Sequence, residues 1–440
     1  MKRKPNPAQD QQDSSFALPD TVLIGIDWAD KVHAWHCVDP DGNVSYGELD
    51  QTPLRIQQWI ASIKQRWPEA TIEICIETSR GAVINALLEY DVVLYPINPN
   101  ALSNYRGSHA HGGGKTDPVD ARLIFKFLAE RRSELRPLIQ NSPLTRELAA
   151  LSRDRRKLVE QRVKLSNELK ATLKTYFPAA LELKPAKMYA DFMVSFLLKF
   201  SSLTAAQKAG ATKLRKHFFG VGAKAKAQSR VDLLCNAKPL TTDPVVISTC
   251  GLQVESICSM LDNLNRAIRK YDRRLKERVV THSDYEIVAH LPGASTKTQA
   301  RMIAALGDDR SRYENTASFQ SAAGIAPLTT QSGKQRYVSS RWACSKFMKQ
   351  TFHEYAGLSI NRCRWAKAFY DAKINAGKTP QAAKRALAYK WMRIIFRCWQ
   401  DGVRYDDNRY MQRLKRNGSP LAAVLFPATK STRQQPNAAV

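Results

Sequence analysis

The first part of the chain alternates short apolar runs with turn-forming residues. Runs of strand length lie at 22–28, 32–38, 44–49, 71–77 and 92–97. Polar turns separate the first three runs, which predicts strands joined by short hairpins. Residues with helical apolar spacing at 54–63 and 83–88 predict helices between the later strands. The order β-β-β-α-β-α-β-α predicts an α/β domain with a mixed sheet over residues 21–135.

A polar segment precedes this domain, and a further helix closes it. Residues 1–20 are rich in Pro, Gln, Asp and Ser, so they are predicted to form a disordered leader. Asp117 is predicted to be the N-cap of the closing helix, with Pro118 at the first helical position. The Gly-rich segment 111–116 is predicted to be a flexible loop.

Two later segments carry heptad patterns. The first has apolar residues at Leu148, Leu151, Leu158, Leu165 and Leu169, and the second at Val254, Ile257, Leu261, Leu264, Ile268, Tyr271 and Leu275. Both patterns predict coiled-coil helices, which places a coiled coil at 140–283 with an inserted basic helical region at 177–250. Such heptads form either a helical hairpin or a dimer interface, and we favour the dimer.

The last third of the chain is predicted to form a mainly helical domain at 285–416, followed by a loose tail at 417–440. Lys and Arg are interleaved with aromatic residues between about 341 and 400. We interpret most of these aromatic side chains as core and the cations as a surface for nucleic-acid phosphates. The candidate nucleic-acid-binding residues are Lys115, Lys334, Arg336, Arg341 and Lys346.

Charge is distributed unevenly along the 440 residues, whose formal net charge is +28. Residues 1–130 hold 12 Lys and Arg against 17 Asp and Glu, whereas residues 131–440 hold 56 against 23. A surplus of this size exceeds what solubility requires and indicates a polyanionic partner. We therefore expect the chain to bind nucleic acid.

The remaining composition limits the class of protein. The eight Cys are scattered without a Cys-x-x-Cys pair, which argues against a zinc site and a disulfide framework. No run of about 18 apolar residues is present, and the charged N-terminus lacks an apolar segment behind it. We expect no membrane partner and a cytoplasmic location.

Four carboxylates lie where strands end or a helix begins. Asp27 and Glu77 end two strands, and Asp117 and Asp120 are three residues apart at a helix start. Carboxylates at the rim of an apolar sheet are costly unless a cation compensates them. Mg²⁺ prefers hard oxygen ligands, and a pair of ions can hold both oxygens of a phosphodiester displacement. We therefore predict that these four residues are catalytic ligands of two Mg²⁺ ions.

Each carboxylate also has a structural explanation. The alternatives are a turn of Asp27 with Asp30, an ion pair of Glu77 with Arg80, an N-cap at Asp117 and a helix-dipole contact of Asp120. The order of all four on the predicted scaffold favours the catalytic interpretation.

Several segments are similar to a known family. Segments 25–27, 76–78 and 115–121 resemble the DEDD motif of insertion-sequence transposases with a RuvC-like, ribonuclease-H-type N-terminal domain. Segments 291–293, 323–327 and 331–334 resemble the family's C-terminal transposase domain. The resemblance runs from about 21 to 400 and matches 177–250 poorly. It implies an α/β plus mainly α chain: a ribonuclease-H/RuvC-like mixed sheet, a coiled-coil segment and a mainly helical C-terminal domain.

The resemblance also implies an activity and partners. It implies a site-specific DNA recombinase with a catalytic Ser at the position of Ser332, which forms a covalent Ser–phosphate intermediate. Nearby alternatives for this nucleophile are Ser339, Ser340 and Ser345. The implied partners are donor and target DNA, a structured noncoding guide RNA called the bridge RNA, and further copies of the chain as dimers that assemble into a tetramer.

Two other functions remain compatible with the residues. One is a metal-dependent nuclease of the Holliday-junction-resolvase type, which would use water in place of Ser332. The other is a non-enzymatic architectural protein that binds nucleic acid and whose carboxylates are structural. The first differs from a recombinase in forming no covalent protein–DNA species.

Overall fold

The structure, a computed structural model, describes residues 7–109, 116–333 and 335–426. They fall into two units, residues 1–140 and 141–440. Lys115 and Lys334, two of the predicted nucleic-acid-binding residues, lie outside the described residues.

A five-stranded mixed sheet forms the centre of the first unit. Its strands are β1 (Thr21–Asp27), β2 (Val32–Val38), β3 (Val44–Asp50), β4 (Thr71–Ile76) and β5 (Val93–Pro96). Their order across the sheet is β3-β2-β1-β4-β5. β1, β2 and β3 pair antiparallel, whereas β4 pairs parallel with both β1 and β5. The sequence-based prediction of a mixed sheet is confirmed, with each strand within two residues of its predicted bounds.

Helices cover both faces of this sheet. They are α1 (Pro7–Ser14), α2 (Pro53–Arg66), α3 (Ala82–Leu87), α4 (Pro99–His109) and α5 (Asp117–Arg131). Val22, Ile24 and Ile26 of β1 pack against α2 and α3 on one face. Leu23 lies on the opposite face in a core with residues of α4 and α5. β1 is an uninterrupted apolar run because both of its faces are buried. The sequence did not predict α4.

The prediction of a disordered leader at 1–20 is wrong for the described residues from Pro7 onward. Asp13 of α1 is fully buried and accepts hydrogen bonds from the Arg122 guanidinium, one of them 2.8 Å from Nη2 to Oδ1. His36 Nε2 lies 3.2 Å and Lys126 Nζ 3.5 Å from the same carboxylate. A charge network with residues far along the chain therefore holds this helix on the unit.

The second unit contains a helical hairpin, an inserted helical region and a C-terminal helical domain. Its helices are α6 (Pro143–Tyr176), α7 (Ala179–Glu182), α8 (Asp191–Lys199), α9 (Leu203–Gly220), α10 (Ala227–Asn236), α11 (Pro244–Val279), α12 (Tyr285–Ala289), α13 (Thr296–Leu306), α14 (Thr316–Ala322), α15 (Lys346–Ser359), α16 (Arg364–Asn375), α17 (Pro380–Asp401), α18 (Asp407–Arg416) and α19 (Pro420–Leu425). Two strands, β6 (Pro327–Ser332) and β7 (Gln335–Ser340), form a separate hairpin.

The two predicted heptad segments are the long helices α6 and α11, and they pack on each other within the chain. Their ion pairs run in antiparallel order, with Glu147 on Arg278 at 2.8 Å and Asp272 on Arg155. Much of the heptad seam is thus buried inside one chain, which corrects our preference for the heptads as a dimer interface. A heptad pattern shows that a seam exists but does not identify the helix on the other side.

The inserted region forms its own core at one end of this helical hairpin. Helices α7 to α10 bury Phe196 and Phe218 together with Leu169 of α6 and Leu261 of α11. Because α11 begins at Pro244, the last residues of the predicted insertion, 244–250, belong to the hairpin.

The other end of the hairpin is part of the C-terminal core. Leu148 and Leu275 of the hairpin lie in one cluster with Trp391 and Trp399 of α17. The coiled coil and the C-terminal domain, predicted as separate domains, therefore share one hydrophobic core.

The tail predicted to be loose at 417–440 is ordered in its first part. α19 buries Leu421 and Leu425 in the C-terminal core. Residues 427–440 lie outside the described residues.

One helix in the described part of the chain, α11, is long and apolar enough to cross a membrane by length and composition alone. This finding qualifies the sequence-based expectation that no segment could span one. Core helices pass the same test, and Val254, Ile257 and Leu261 of α11 are buried against the inserted region.

We predict that replacing Asp13 by Ala lowers the free energy of unfolding by about 3 kcal/mol, because it leaves buried cations without their carboxylate. Burial disfavours the charged carboxyl, but hydrogen bonds from His36 and Arg122 outweigh it and lower the pKa of Asp13 to about 2. The carboxylate therefore stabilises the fold above about pH 4, and this contribution is lost as the pH falls toward 2. Urea unfolding at several pH values measures both effects.

Asp10 on the same helix provides the control, since no ion pair involves its side chain in the described residues. Asp10→Ala should change stability by less than about 0.5 kcal/mol. Equal losses for both variants at neutral pH would contradict the role of the Asp13 network.

Candidate active site

Two of the predicted site residues lie side by side at one edge of the sheet. β1 and β4 are parallel neighbours, and their last paired residues are Ile26 and Ile76. Asp27 and Glu77 each follow directly, so both lie at the carboxyl ends of adjacent parallel strands. Asp27 alternates with Ile26 and therefore shares the sheet face of Leu23, which is the face that α5 covers.

Helix α5 packs on β1 with backbone against backbone. A Cβ atom on Gly25 would lie 2.3 Å from the Phe125 amide nitrogen and 2.4 Å from the Ala121 carbonyl oxygen. The direction of α5 follows from Arg132 just beyond its last residue, whose Nη2 lies 2.6 Å from Oε1 of Glu73. Glu73 is level with Leu23 in the sheet. The helix thus runs antiparallel to β1 and β4, and its N-terminus lies toward the edge that carries Asp27 and Glu77.

The first turn of α5 supplies the other two carboxylates. Thr116 is the N-cap, so the prediction of an N-cap at Asp117 is wrong by one residue. Asp117 is exposed, whereas Asp120 is buried and its Oδ1 lies 2.7 Å from Arg106 Nη2 of α4. That oxygen is buried without a well-aligned hydrogen bond from any described residue. A buried acceptor held only by a charge contact is available to a stronger ligand.

The donor chemistry of this edge fits a hard divalent cation. The four side chains provide only carboxylate oxygens, and oxygen is the ligand that Mg²⁺ prefers. Within the described residues, no group of three or more His, Cys, Asp or Glu is close enough to hold a metal ion as it stands. Arg106 instead compensates the charge of Asp120. The fold brings the carboxylates to one edge but does not hold them in a finished coordination shell.

Ser332 lies at the end of an exposed hairpin in the other unit. It is the last residue of β6 and pairs with Gln335 of β7 across a turn that contains Gly333, whose φ is +57°. All six residues of β6 are exposed. The Ser332 hydroxyl makes no hydrogen bond with another described residue. The hairpin presents this hydroxyl but does not activate it.

The predicted nucleic-acid-binding cations that follow Ser332 in the sequence differ in burial and in position. Arg336 is exposed and pairs with Gln331, so the alternation of β6 and β7 puts it on the hairpin face opposite to Ser332. Lys346 is exposed at the first residue of α15, and Arg341 is partly buried, with Nε unpaired among the described residues. Of this set, only Arg336 lies within the hairpin strands, and the pairing places it away from the face of Ser332.

Comparisons with known proteins add independent observations. The DEDD-type model of IS110 transposases, described as a transposase, matches residues 24–178. A second model, described as the transposase IS116/IS110/IS902 family, matches residues 285–371. The first match includes Asp27, Glu77, Asp117 and Asp120, here called the carboxylate edge. The second match includes the β6–β7 hairpin.

Full-length relatives agree with these matches. A protein of the IS117 mini-circle from Streptomyces coelicolor is 26% identical over 401 residues, which covers 88% of this chain and 96% of the relative. A 44.8 kDa protein of insertion element IS116 from Streptomyces clavuligerus is 24% identical and covers 87% of this chain and 95% of the relative.

The chain belongs to the IS110 family of transposases. It is therefore an enzyme of DNA cleavage and joining, and the predictions of family, fold class and enzyme class are confirmed.

Most aromatic residues of the transposase's C-terminal domain are core, as the sequence indicated. Trp365, Trp391 and Trp399 are fully buried. Trp342 is the contrast, because 89% of it is exposed. Tyr337, which is 60% exposed, lies on the hairpin face of Ser332. Sequence analysis did not assign Tyr337 or Arg106 to a site, and no spacing around either residue signals a role.

We predict that Gly25→Ala destabilises the transposase by about 2 kcal/mol and lowers its DNA-cleaving activity, because the new methyl group displaces α5 and with it Asp120. Urea unfolding and a cleavage assay measure the two effects.

Gly107→Ala is the matched control, since nothing lies within 4 Å of a Cβ atom at this position in α4. It should leave cleavage intact and raise stability by up to about 1 kcal/mol, as Ala does in helices. Normal stability and cleavage in the Gly25→Ala protein would refute the role of this close packing.

Proposed function

We propose that this transposase moves its own insertion sequence by site-specific DNA recombination, with Mg²⁺-dependent cleavage and a covalent Ser–phosphate intermediate. The observation that carries the proposal is the meeting of two strand ends and one helix start, which bring Asp27, Glu77 and the α5 carboxylates to one sheet edge.

In this proposal Asp27, Glu77, Asp117 and Asp120 hold two Mg²⁺ ions. The ions would neutralise charge on the phosphate and lower the pKa of an oxygen nucleophile bound to them. Arg106 compensates Asp120 until a cation takes that place, since its guanidinium lies against Oδ1. Exposed Asp117 can turn toward a ligand without breaking a buried contact.

Ser332 is proposed as the nucleophile. Its Oγ loses a proton and forms a bond to phosphorus, while the bond from phosphorus to the leaving deoxyribose oxygen breaks and that oxygen takes up a proton. The reverse reaction with a different strand end rejoins DNA without loss of the phosphodiester bond. Support comes from the exposure of Ser332 at a hairpin end and from its lack of an internal hydrogen-bond partner among the described residues. Activation would then come from outside the hairpin.

We predict that Asp27→Asn, Glu77→Gln and Asp120→Asn each reduce DNA cleavage on the order of 100-fold or more, because each removes a charged metal ligand. Gel analysis of plasmid excision with Mg²⁺ and with EDTA measures the loss. Asp41→Asn is the control, since Asp41 is an exposed acid in the turn between β2 and β3. Unchanged cleavage in the three variants would instead show that these carboxylates are structural and that the catalytic groups lie elsewhere.

We predict that Ser332→Ala abolishes a covalent protein–DNA adduct on denaturing gels and abolishes strand joining, because no hydroxyl remains to attack phosphorus. Ser340→Ala, on the opposite hairpin face, should form the adduct normally. Ser339→Ala tests the nearby alternative on the same face as Ser332.

The outcome for cleavage separates the two enzyme mechanisms. Cleavage that persists in Ser332→Ala without any adduct in the wild type would support a water-using nuclease of the junction-resolvase type.

The proposed partners are donor and target DNA, a structured guide RNA and further copies of the chain. The charge of residues 131–440 supports binding of more nucleic acid than one short duplex. An uncharged exposed stripe on α11, including Val245, Leu252 and Met260, supports self-association into a dimer that forms a tetramer on DNA. Free Cys at all eight positions is compatible with the bacterial cytoplasm as the proposed location.

We predict that Leu252→Glu shifts the protein toward a monomer in sedimentation velocity, because it places a charge in the uncharged stripe. Leu252 is 68% exposed, and the control Leu240→Glu alters a residue that is 60% exposed outside α11. Dimers that persist in the Leu252→Glu protein would exclude this stripe as the interface.

A further inference from the structure

The inserted helical region contains the longest stretch of the chain without an acidic residue. Between residues 192 and 231 there are eight Lys and Arg and no Asp or Glu. The region lies outside both segments that match the family models, which end at 178 and begin again at 285. Neither the carboxylate edge nor the β6–β7 hairpin accounts for this charge.

Five of these cations are exposed on two neighbouring segments of the insertion. The end of α9 exposes Lys213, Arg215 and Lys216, and the short 3₁₀ turn Lys224–Lys226 exposes both of its lysines. The chain folds back between them, since the Ala223 amide donates to the Phe218 carbonyl at 2.9 Å. Arg215 Nη2 also donates to Oε1 of Gln228 in α10, at 2.5 Å.

The cations on this surface are not compensated within the described residues. No described carboxylate forms an ion pair with Arg215 or with the four lysines at the end of α9 and in the 3₁₀ turn. By contrast, Arg155 of α6 and Arg274 and Arg278 of α11 each have a carboxylate partner on the opposite helix of the hairpin. Cations that lie close together repel one another. Without carboxylate partners inside the protein, such a cluster is favourable only where a polyanion or salt screens the repulsion.

An exposed aromatic residue lies between these cations along the chain. Phe218 is fully buried in the core of the insertion, but the next residue, Phe219, is 48% exposed. Cationic side chains that follow a phosphate backbone, together with aromatic rings on which bases stack, are the combination that binds single-stranded nucleic acid. A fully paired duplex offers its phosphates but keeps its bases stacked inside.

We propose that this surface, formed by Lys213, Arg215, Lys216, Phe219, Lys224 and Lys226 and here called the insertion surface, binds single-stranded DNA. DNA is the polyanion on which a transposase acts, and its strands are unpaired where they are cleaved and exchanged. The lysines and Arg215 contact phosphates, and Phe219 stacks on an unpaired base. The inference is independent of Ser332 and of the carboxylates, because it assigns DNA binding to a different part of the chain.

Fluorescence anisotropy of the full-length protein with a labelled single-stranded oligodeoxynucleotide in EDTA tests the charge contribution. Each phosphate contact on a single strand contributes about 0.7 to the slope of log affinity against log salt. The triple variant Lys213→Gln, Lys224→Gln, Lys226→Gln should therefore reduce the slope by about 2. The control triple Lys164→Gln, Lys170→Gln, Lys174→Gln removes equal charge from exposed positions of α6 and should not. Equal reductions in both would overturn the proposal.

Phe219 is tested separately, at constant salt. Phe219→Ala should weaken single-strand binding about 10-fold, the lower range for loss of one base stack, and Phe219→Trp should restore it. Leu198→Ala, a partly exposed apolar residue of α8, is the control for lost packing. Thermal unfolding verifies that each variant folds.

Further ligands separate the remaining possibilities. A blunt duplex of the same sequence should bind Phe219→Ala as it binds the wild type. If the insertion-surface variants weaken binding of an RNA oligonucleotide and leave single-stranded DNA binding unchanged, the assignment to DNA is overturned. The Asp27→Asn protein should lose DNA cleavage but bind the single-stranded oligonucleotide as the wild type does. This result would support the separation of the insertion surface from the carboxylate edge.

Discussion

The close approach of α5 to β1 is the constraint on which the candidate site depends. At Gly25 the helix backbone occupies the space of a side chain, so the two elements are fixed in both distance and register. Two acids of the first helical turn therefore lie at the edge where the acids of two strands end. The parallel pairing of β1 and β4 places Asp27 beside Glu77, because the carboxyl ends of parallel strands meet at the same edge.

Concentrated carboxylates at this edge are unfavourable without compensation, and the fold compensates them in several ways. The N-terminus of α5 provides a partial positive charge beside Asp117 and Asp120. Arg106 adds a full charge against buried Asp120. These charges compensate the edge without a metal ion, and in the proposed function a divalent ion would take the place of Arg106 beside Asp120. Among the described residues, no three acids of this edge lie close enough together to hold a metal ion.

The sequence predicted those features that one segment determines by itself. β1 was predicted because a strand buried on both faces needs an uninterrupted apolar run, and α6 and α11 were predicted because a packed seam needs heptads. Features that two distant segments determine together were missed. The ordering of α1 depends on Arg122, 109 residues away from Asp13, and a polar helix with such a partner is locally identical to a disordered segment. The β6–β7 hairpin has both faces exposed, so no apolar alternation marks it.

The distribution of charge separates the candidate catalytic site from the part of the chain expected to bind DNA. DNA is a polyanion, and four carboxylates at one edge repel it until cations neutralise them. Affinity for DNA therefore has to come from elsewhere in the chain, and the excess of 56 Lys and Arg over 23 Asp and Glu in residues 131–440 provides it. Binding is then expected to depend steeply on monovalent salt, whereas the proposed chemistry at the carboxylates would depend on divalent ions. Since the two dependences arise from different residues, DNA binding in the absence of divalent metal is expected to persist when catalysis is lost.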